Sequence, residues 1–261
     1  TLAVDATPED QRPQQFEHAQ KLASWTTARC LAIGIGWIYY VTGRLSDASR
    51  CLAVGQTMFR STTDSVHRAY CELLLGAVAR ARADDSEMVK KALATMLRAS
   101  KGLNEHPLFR LRAGYEIAVA HVHAGDLVNA ARAIAEMKSS LSLSGSHAGG
   151  RSLRWTSQVA ILESRLLRTR NDFTGAQEAA QRAYVAAERA QQSTLVTEAL
   201  IVMAEAELEV GSSSGLDHAL ARLSQARFLS RENPKTGAVC TLHIARVHVR
   251  RHRFEEARYE F

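Results

Sequence analysis

The chain has 261 residues with 33 basic and 27 acidic side chains, giving a formal net charge of +6. The charges are mixed along the chain, so the basic excess is typical of a solvated surface and does not by itself indicate nucleic acid. Prolines are rare and strong helix formers abound, which favours an all-α fold. The chain is long for one compact core, but a repeat array grows by adding units.

The N-terminal segment, residues 1–24, is predicted to be a short leading helix near 8–20 or a linker. Thr7 before Pro8 resembles an N-cap followed by proline at the first helical position. No signal peptide is visible. Because the sequence starts without Met and stops inside a helical pattern, we expect a fragment of a longer protein.

A repeated pattern occupies residues 25–261. A small residue is followed seven positions later by a turn, then by leucine or phenylalanine, then by alanine. Gly36, the turn at Gly43, Leu45 and Ala48 form the clearest copy. The small residues recur every 40 to 46 residues, at Gly36, Gly76, Ala118, Ser164, Ala204 and Ala245.

Each part of the pattern has a physical role. The small residue lets a second helix approach closely, and Gly43 or Asn171 ends the first helix in a left-handed conformation. Ser46 and Thr174 are candidate N-caps for the second helices. The alanine is expected where two helices cross.

The pattern predicts two series of helices. First helices are expected near 25–42, 66–82, 108–124, 153–170, 193–210 and 237–251. Second helices are expected near 46–60, 86–101, 127–139, 174–191, 216–229 and from 254 onward. Longer connections are expected over the serine- and glycine-rich stretch 140–152 and over a serine-rich insertion before Leu216.

These residues resemble the tetratricopeptide repeat, which has a small residue, glycine, a leucine or aromatic residue and alanine in this order. The steps here exceed the usual length of about 34 residues, and the tryptophan and closing proline of the motif are absent. Longer units of this kind resemble the sensor domain of maltose-activator-like bacterial regulators. The resemblance implies an all-α solenoid, a right-handed superhelix of about six antiparallel helix pairs. The units are about 25–63, 64–103, 106–140, 153–191, 193–230 and 235–261.

In tetratricopeptide arrays the first helices line the concave surface, so that surface is the predicted ligand site. The candidate binding residues on it are Trp37, Tyr40, Tyr70, Arg80, Arg112, Tyr115, His123, Arg165, Arg168, Arg246 and Arg250. Arginine binds carboxylate or phosphate, and aromatic rings supply contact area, so a peptide or an anionic ligand fits. Two alternatives stay open: Trp37 and Tyr40 simply fill the core, and the arginines either lie on ordinary solvated helix faces or pair with glutamates of the fifth unit.

Other constellations predict no chemistry. His121 and His123 are two apart on a helix and face nearly opposite sides, so they cannot share a metal. Glu205, Glu207 and Glu209 are expected to form an exposed acidic patch. No enzyme motif is present, and neither a cofactor nor a catalytic residue is predicted. The cysteines, which all lie in apolar stretches, are expected to be reduced core thiols: Cys30, Cys51, Cys71 and Cys240.

The sequence therefore predicts an intracellular binding module, in the cytoplasm or, for a eukaryotic source, in the nucleus. It is expected to be the sensor or interaction part of a larger regulatory protein. Its partner is expected to be a protein or peptide, for which an acidic one is an option, or a small effector. A structural scaffold subunit of a stable complex is the alternative. The basic cluster around Arg246 and Arg250 lacks interleaved aromatic residues, which argues against nucleic acid. The longest apolar stretch, 30–41, is too short to span a bilayer.

Overall fold

The structure, a computed structural model, describes residues 25–60, 64–143, 149–231 and 233–260. Twelve α-helices and no strand occur in these ranges, as the sequence predicts. The helices belong to two compact units, an N-terminal unit up to Asp126 and a C-terminal unit from Leu127. The predicted leading helix near 8–20 lies outside the described residues.

The N-terminal unit contains two consecutive helix pairs and a fifth helix. Its helices are α1 (Trp25–Val41), α2 (Leu45–Arg60), α3 (Ser65–Ala81), α4 (Ser86–Ser100) and α5 (Pro107–His123). Each helix packs against the next one in the chain, and α3 also packs against α1 and α5. The first helices of successive repeats are therefore neighbours in this unit.

The C-terminal unit repeats this arrangement. Its helices are α6 (Leu127–Leu143), α7 (Gly149–Thr169), α8 (Phe173–Arg189), α9 (Ser193–Val210), α10 (Ser213–Leu229), α11 (Pro234–Arg250) and α12 (Phe254–Tyr259). Consecutive helices pack together, and α9 packs against both α7 and α11. The first helices α7, α9 and α11 thus lie side by side.

At Gly36 and Gly76, the small residue allows the close approach of a second helix, as predicted. A Cβ added at Gly36 would lie 2.7 Å from Cγ of Leu52 on α2. A Cβ added at Gly76 would lie 2.5 Å from Cγ of Met96 on α4. The crossing alanine Ala48 is completely buried, as are its counterparts Ala130 and Ala176.

The turns between paired helices share one backbone geometry. Gly43 and Gly125 have positive φ, and so do the non-glycine residues Asn171 and His252 at the equivalent positions. After each of these residues, the next backbone N–H donates to a carbonyl five residues back; for Gly43 this is Arg44 N–H to Tyr39 at 2.8 Å. This hydrogen bond satisfies one of the last carbonyls of the first helix, and the chain then enters the second helix directly.

Two N-cap predictions are wrong. Ser46 lies inside α2, which begins at Leu45. Asp172, and not Thr174, caps α8, because its carboxylate accepts a hydrogen bond from the backbone N–H of Gly175 at 2.9 Å. The second helix begins directly after the tight turn, so both predicted caps already lie within its first turn.

The predicted connections are also too long. α6 continues to Leu143 and α7 begins at Gly149, so both edges of the stretch 140–152 are helical. The serines before Leu216 start α10, with the hydroxyl of Ser212 accepting from the N–H of Gly215 at 3.1 Å. Serine is common at helix N-termini as well as in loops, which explains the difference before Leu216. In the stretch 140–152, the hydroxyls of Ser140 and Ser142 donate to carbonyls four residues earlier, inside α6.

The four cysteines carry no disulfide, but they do not all lie in the core. Cys71 and Cys240 are buried, as expected, whereas Cys51 is half-buried and Cys30 is exposed on α1. No helix of the described residues has the length and apolarity needed to cross a bilayer.

Candidate functional site

Six of the predicted binding residues meet in the N-terminal unit. We call this set the aromatic–arginine cluster: Trp37 and Tyr40 on α1, Arg80 on α3, and Arg112, Tyr115 and His123 on α5, arranged around Glu116. Arg80, Arg112 and Glu116 are buried, and Glu116 is only 1% exposed. The cluster thus places charged side chains inside the unit, on the side formed by first helices.

Glu116 organises the cluster. Arg112 Nη2 lies 2.9 Å from its Oε1, and Arg80 Nη2 lies 3.4 Å from its Oε2. Tyr40 donates to the same carboxylate at 3.0 Å and accepts a hydrogen bond from Arg80 at 2.7 Å. Burial and the negative charge of Glu116 raise the pKa of Tyr40, so its hydroxyl stays protonated and can hold both partners.

Aromatic rings enclose the guanidinium of Arg112. Its Cζ lies 3.7 Å from the ring centroid of Trp37 and 5.5 Å from that of Tyr115. Arg80 extends to His123, whose Nδ1 lies 3.3 Å from Arg80 Nη1. Such stacking partly offsets the loss of water around a buried guanidinium.

Tyr70, a further predicted binding residue, makes mainly aromatic and core contacts. Its ring packs 4.6 Å from that of Phe109 and against the cores on both sides of α3. Burial raises the pKa of its hydroxyl. Tyr70 therefore fills space between helices.

Three of the predicted arginines meet in the C-terminal unit. We call this set the arginine rim: Arg168 on α7, and Arg246 and Arg250 on α11, arranged around Glu205 and Glu209 of α9. Arg168 lies 3.3 Å from Glu205 and 3.7 Å from Glu209. The alternative in which arginines pair with glutamates of the fifth unit is thus confirmed for these three side chains. Arg165, one turn before Arg168, contributes positive charge beside Glu205.

Two arginines of the rim, Arg246 and Arg250, are about half exposed. Arg246 and Arg250 lie 3.6 and 3.9 Å from Glu209, at the limit of an ion pair, and their side chains are 47% and 51% exposed. The rim therefore has more positive than negative charge on one face.

The expected acidic patch does not form. Glu207 is buried and pairs with Arg222 of α10, on the side of α9 opposite to Glu205 and Glu209. Residues two apart on a helix face different directions, whereas residues four apart share a face. Glu205 and Glu209 are also committed to arginines, so the prediction of an exposed patch is wrong.

Several electrostatic effects act on Glu205. Burial raises the pKa of its carboxyl, but the hydrogen bond from His243 and the charges of Arg168 and Arg165 outweigh burial and hold that pKa below its usual range. His243 Nε2 lies 3.2 Å from Glu205 Oε1. The carboxylate is therefore ionised at neutral pH and stabilises the fold.

Replacing the carboxylate of Glu205 tests how its contribution to stability depends on pH. We expect Glu205→Gln to lower the free energy of unfolding by about 1–3 kcal/mol near neutral pH, since a partly buried charge-assisted network is lost. A lowered folded-state pKa gives stability that is present above the unfolded-state pKa and is lost as pH falls through the folded-state value. The difference in the free energy of unfolding between wild type and Glu205→Gln should therefore become smaller in acid. Urea unfolding midpoints, measured across a pH series, report this difference.

The exposed Glu178 on α8 provides the control. Glu178→Gln should change stability little at any pH. A wild-type advantage over Glu205→Gln that stays constant or grows in acid would contradict the assigned role of Glu205.

Sequence reasoning overlooked Glu116 and His243. Arg112 and Glu116 are four apart on one helix, a spacing that favours an ion pair and was a usable signal. His243 carried no comparable signal, because its partner Glu205 lies in the preceding repeat. Among the described residues, no group of three or more histidine, cysteine or acidic side chains is placed to hold a metal ion.

Comparison with family models and with curated proteins finds no match. Solved structures do match, with 11–12% sequence identity. Aspartyl phosphate phosphatase F from Bacillus subtilis aligns over 97% of this chain and 65% of its own, with a TM-score of 0.69.

Two further structures align over 95% of this chain, each with a TM-score of 0.60. A Rap protein complexed with Competence and Sporulation Factor is covered over 70% of its length. A signal transduction ATPase with numerous domains and a tetratricopeptide repeat sensor, from Pyrococcus horikoshii, is covered over 37%. At this identity the likeness establishes the fold. The chain therefore has the all-α fold of the tetratricopeptide-like helical repeat proteins.

Proposed function

We propose that residues 25–261 form a protein-binding module, and that the arginine rim binds an acidic segment of a partner protein or peptide. The proposal depends chiefly on one observation: three arginines share Glu209, and two of them remain about half exposed. Exposed ion pairs near 4 Å contribute little energy, so these guanidiniums can exchange Glu209 for a carboxylate of a ligand at small cost.

Two buried polar atoms on α7 support the same surface. Arg168 Nε and Gln158 Oε1 are buried without a hydrogen-bond partner. Gln158, Arg165 and Arg168 follow each other at helical spacing on α7, so they lie along one face. A peptide backbone supplies both donors and acceptors, which makes it a suitable complement to an unpaired Nε–H and an unpaired amide oxygen.

The matching structures support a regulatory binding role. One of them holds Competence and Sporulation Factor, and another carries a tetratricopeptide repeat sensor. We infer that this chain is likewise the sensor or interaction part of a regulatory protein and acts by binding, without catalysis. Its cysteines are free, which fits a reducing compartment such as the cytoplasm.

Charge reversal at the exposed part of the rim tests the proposal. We expect Arg246→Glu with Arg250→Glu to weaken binding of a labelled acidic peptide by at least about tenfold, because attraction becomes repulsion. Fluorescence anisotropy at several salt concentrations measures the affinity, which for wild type should fall as salt rises. Arg168 is left unchanged, since reversing it would bring a third carboxylate against Glu205 and Glu209.

The matched control reverses two exposed arginines on second helices, Arg132 on α6 and Arg189 on α8. Arg132→Glu with Arg189→Glu changes net charge equally but should leave affinity within about twofold of wild type. Equal losses in both double variants would show that only net charge matters and would refute a site at the rim.

A further inference from the structure

The aromatic–arginine cluster of the N-terminal unit holds more positive than negative charge. Arg80 and Arg112 are both buried, and they share the carboxylate of Glu116. The charged groups that act on the nearby hydroxyl of Tyr40 are these same three side chains. Two guanidiniums against one carboxylate leave a net charge of about +1 in a buried place, which is unfavourable unless an anion balances it.

Hydrogen-bond donors are also left over. The Nε–H groups of Arg80 and Arg112 are buried and have no hydrogen-bond partner. A guanidinium presents its donors in a planar fork that matches the two oxygens of a carboxylate. The aromatic rings of Trp37 and Tyr115 lie beside the guanidinium of Arg112. A carboxylate can therefore bind at the edge of this guanidinium, where its N–H groups point.

The cluster has an outer side. Trp37, Tyr40 and Tyr115 are half-buried, and His123 is exposed at the end of α5. His123 Nδ1 lies 3.3 Å from Arg80 Nη1, so one end of this guanidinium lies beside an exposed side chain. We expect a ligand to approach Arg80 from this side of the unit.

We propose that Arg80 and Arg112 form a binding site for a single carboxylate group of a peptide ligand, with Trp37, Tyr40 and Tyr115 contacting the carbon atoms that carry it. The carboxylate balances the second guanidinium and accepts from the unpaired Nε–H groups. This site belongs to the N-terminal unit and does not depend on the arginine rim.

The arginine side-chain Nε–Hε signals in NMR test the proposal on the whole chain. N-acetylglutamate α-amide supplies a side-chain carboxylate, and N-acetylglycine supplies a chain-terminal one. N-acetylglutamine amide is the uncharged control, at equal ionic strength. We expect saturable shifts of the Arg80 and Arg112 signals at millimolar concentrations of a carboxylate probe, and none with the amide. The probe that shifts them further identifies the source of the carboxylate.

Two variants sharpen the experiment. Arg112→Gln leaves one guanidinium balanced by Glu116 and should abolish the shift at Arg80, whereas Arg112→Lys keeps the charge and should retain a weaker response. The exposed Arg132 and Arg189 report nonspecific effects. If the Arg80 and Arg112 signals of wild type do not move, or move no more than those of Arg132 and Arg189 or equally with the amide, the proposal is wrong. This wild-type readout needs neither variant to fold.

Discussion

Replacing Gly36 with leucine is expected to destabilise the N-terminal unit by about 3 kcal/mol or more. The first added atom would lie 2.7 Å from Cγ and 2.8 Å from Cδ2 of Leu52, which is itself completely buried. Neither atom can retreat into solvent, so α1 and α2 must separate. Urea unfolding followed by far-UV circular dichroism measures the loss.

Gly34 provides a control in the same helix, two residues earlier. It is exposed, and nothing lies within 4 Å of a Cβ added there. Gly34→Leu should leave stability unchanged or raise it by up to about 1 kcal/mol, since leucine favours helices more than glycine does. Equal stability of the two variants would show that Gly36 does not set the approach of the helices.

Removing the charge of Glu116 is expected to cost about 3–5 kcal/mol, because two buried guanidiniums lose their shared counter-charge. Glu116→Gln keeps the size of the side chain and so isolates the charge. Arg112→Gln should cost less, because Arg80 and Glu116 then remain as a balanced pair. Both values come from the same urea unfolding measurement.

Glu105, exposed just before α5, is the control for this pair of variants. Glu105→Gln should stay within about 0.5 kcal/mol of wild type. If Glu116→Gln cost no more than Glu105→Gln, the two guanidiniums would not depend on a shared counter-charge, and the inference of a carboxylate site would lose its basis.

The fold was predictable because its determinants are local. A small residue at Gly36, a left-handed residue at Gly43 and an alanine at Ala48 each impose a geometry that the sequence displays directly. The caps and the connection before Leu216 were predicted wrongly, because serine and threonine occur both in turns and in first helical turns. Neighbouring structure decides between these uses, as Asp172 does at the start of α8.

The sequence indicated which side chains of the candidate site come together, but not that some of them are buried. Placing residues on first helices brought Tyr40, Arg80 and Arg112 together, since α1, α3 and α5 are neighbours. Their burial depends on partners from other repeats, such as Glu116 beside Arg80. The error over Glu207 was avoidable, because the helical period alone separates it from Glu205 and Glu209.

The unbiased selection of peptides from a random display library tests the central claim most directly. Wild-type chain should select peptides enriched in aspartate and glutamate. The variant with Arg246→Glu and Arg250→Glu should lose that enrichment, while Arg132→Glu with Arg189→Glu should retain it. Selected peptides without acidic enrichment, or an enrichment that survives reversal of the rim, would contradict binding of an acidic segment by these arginines.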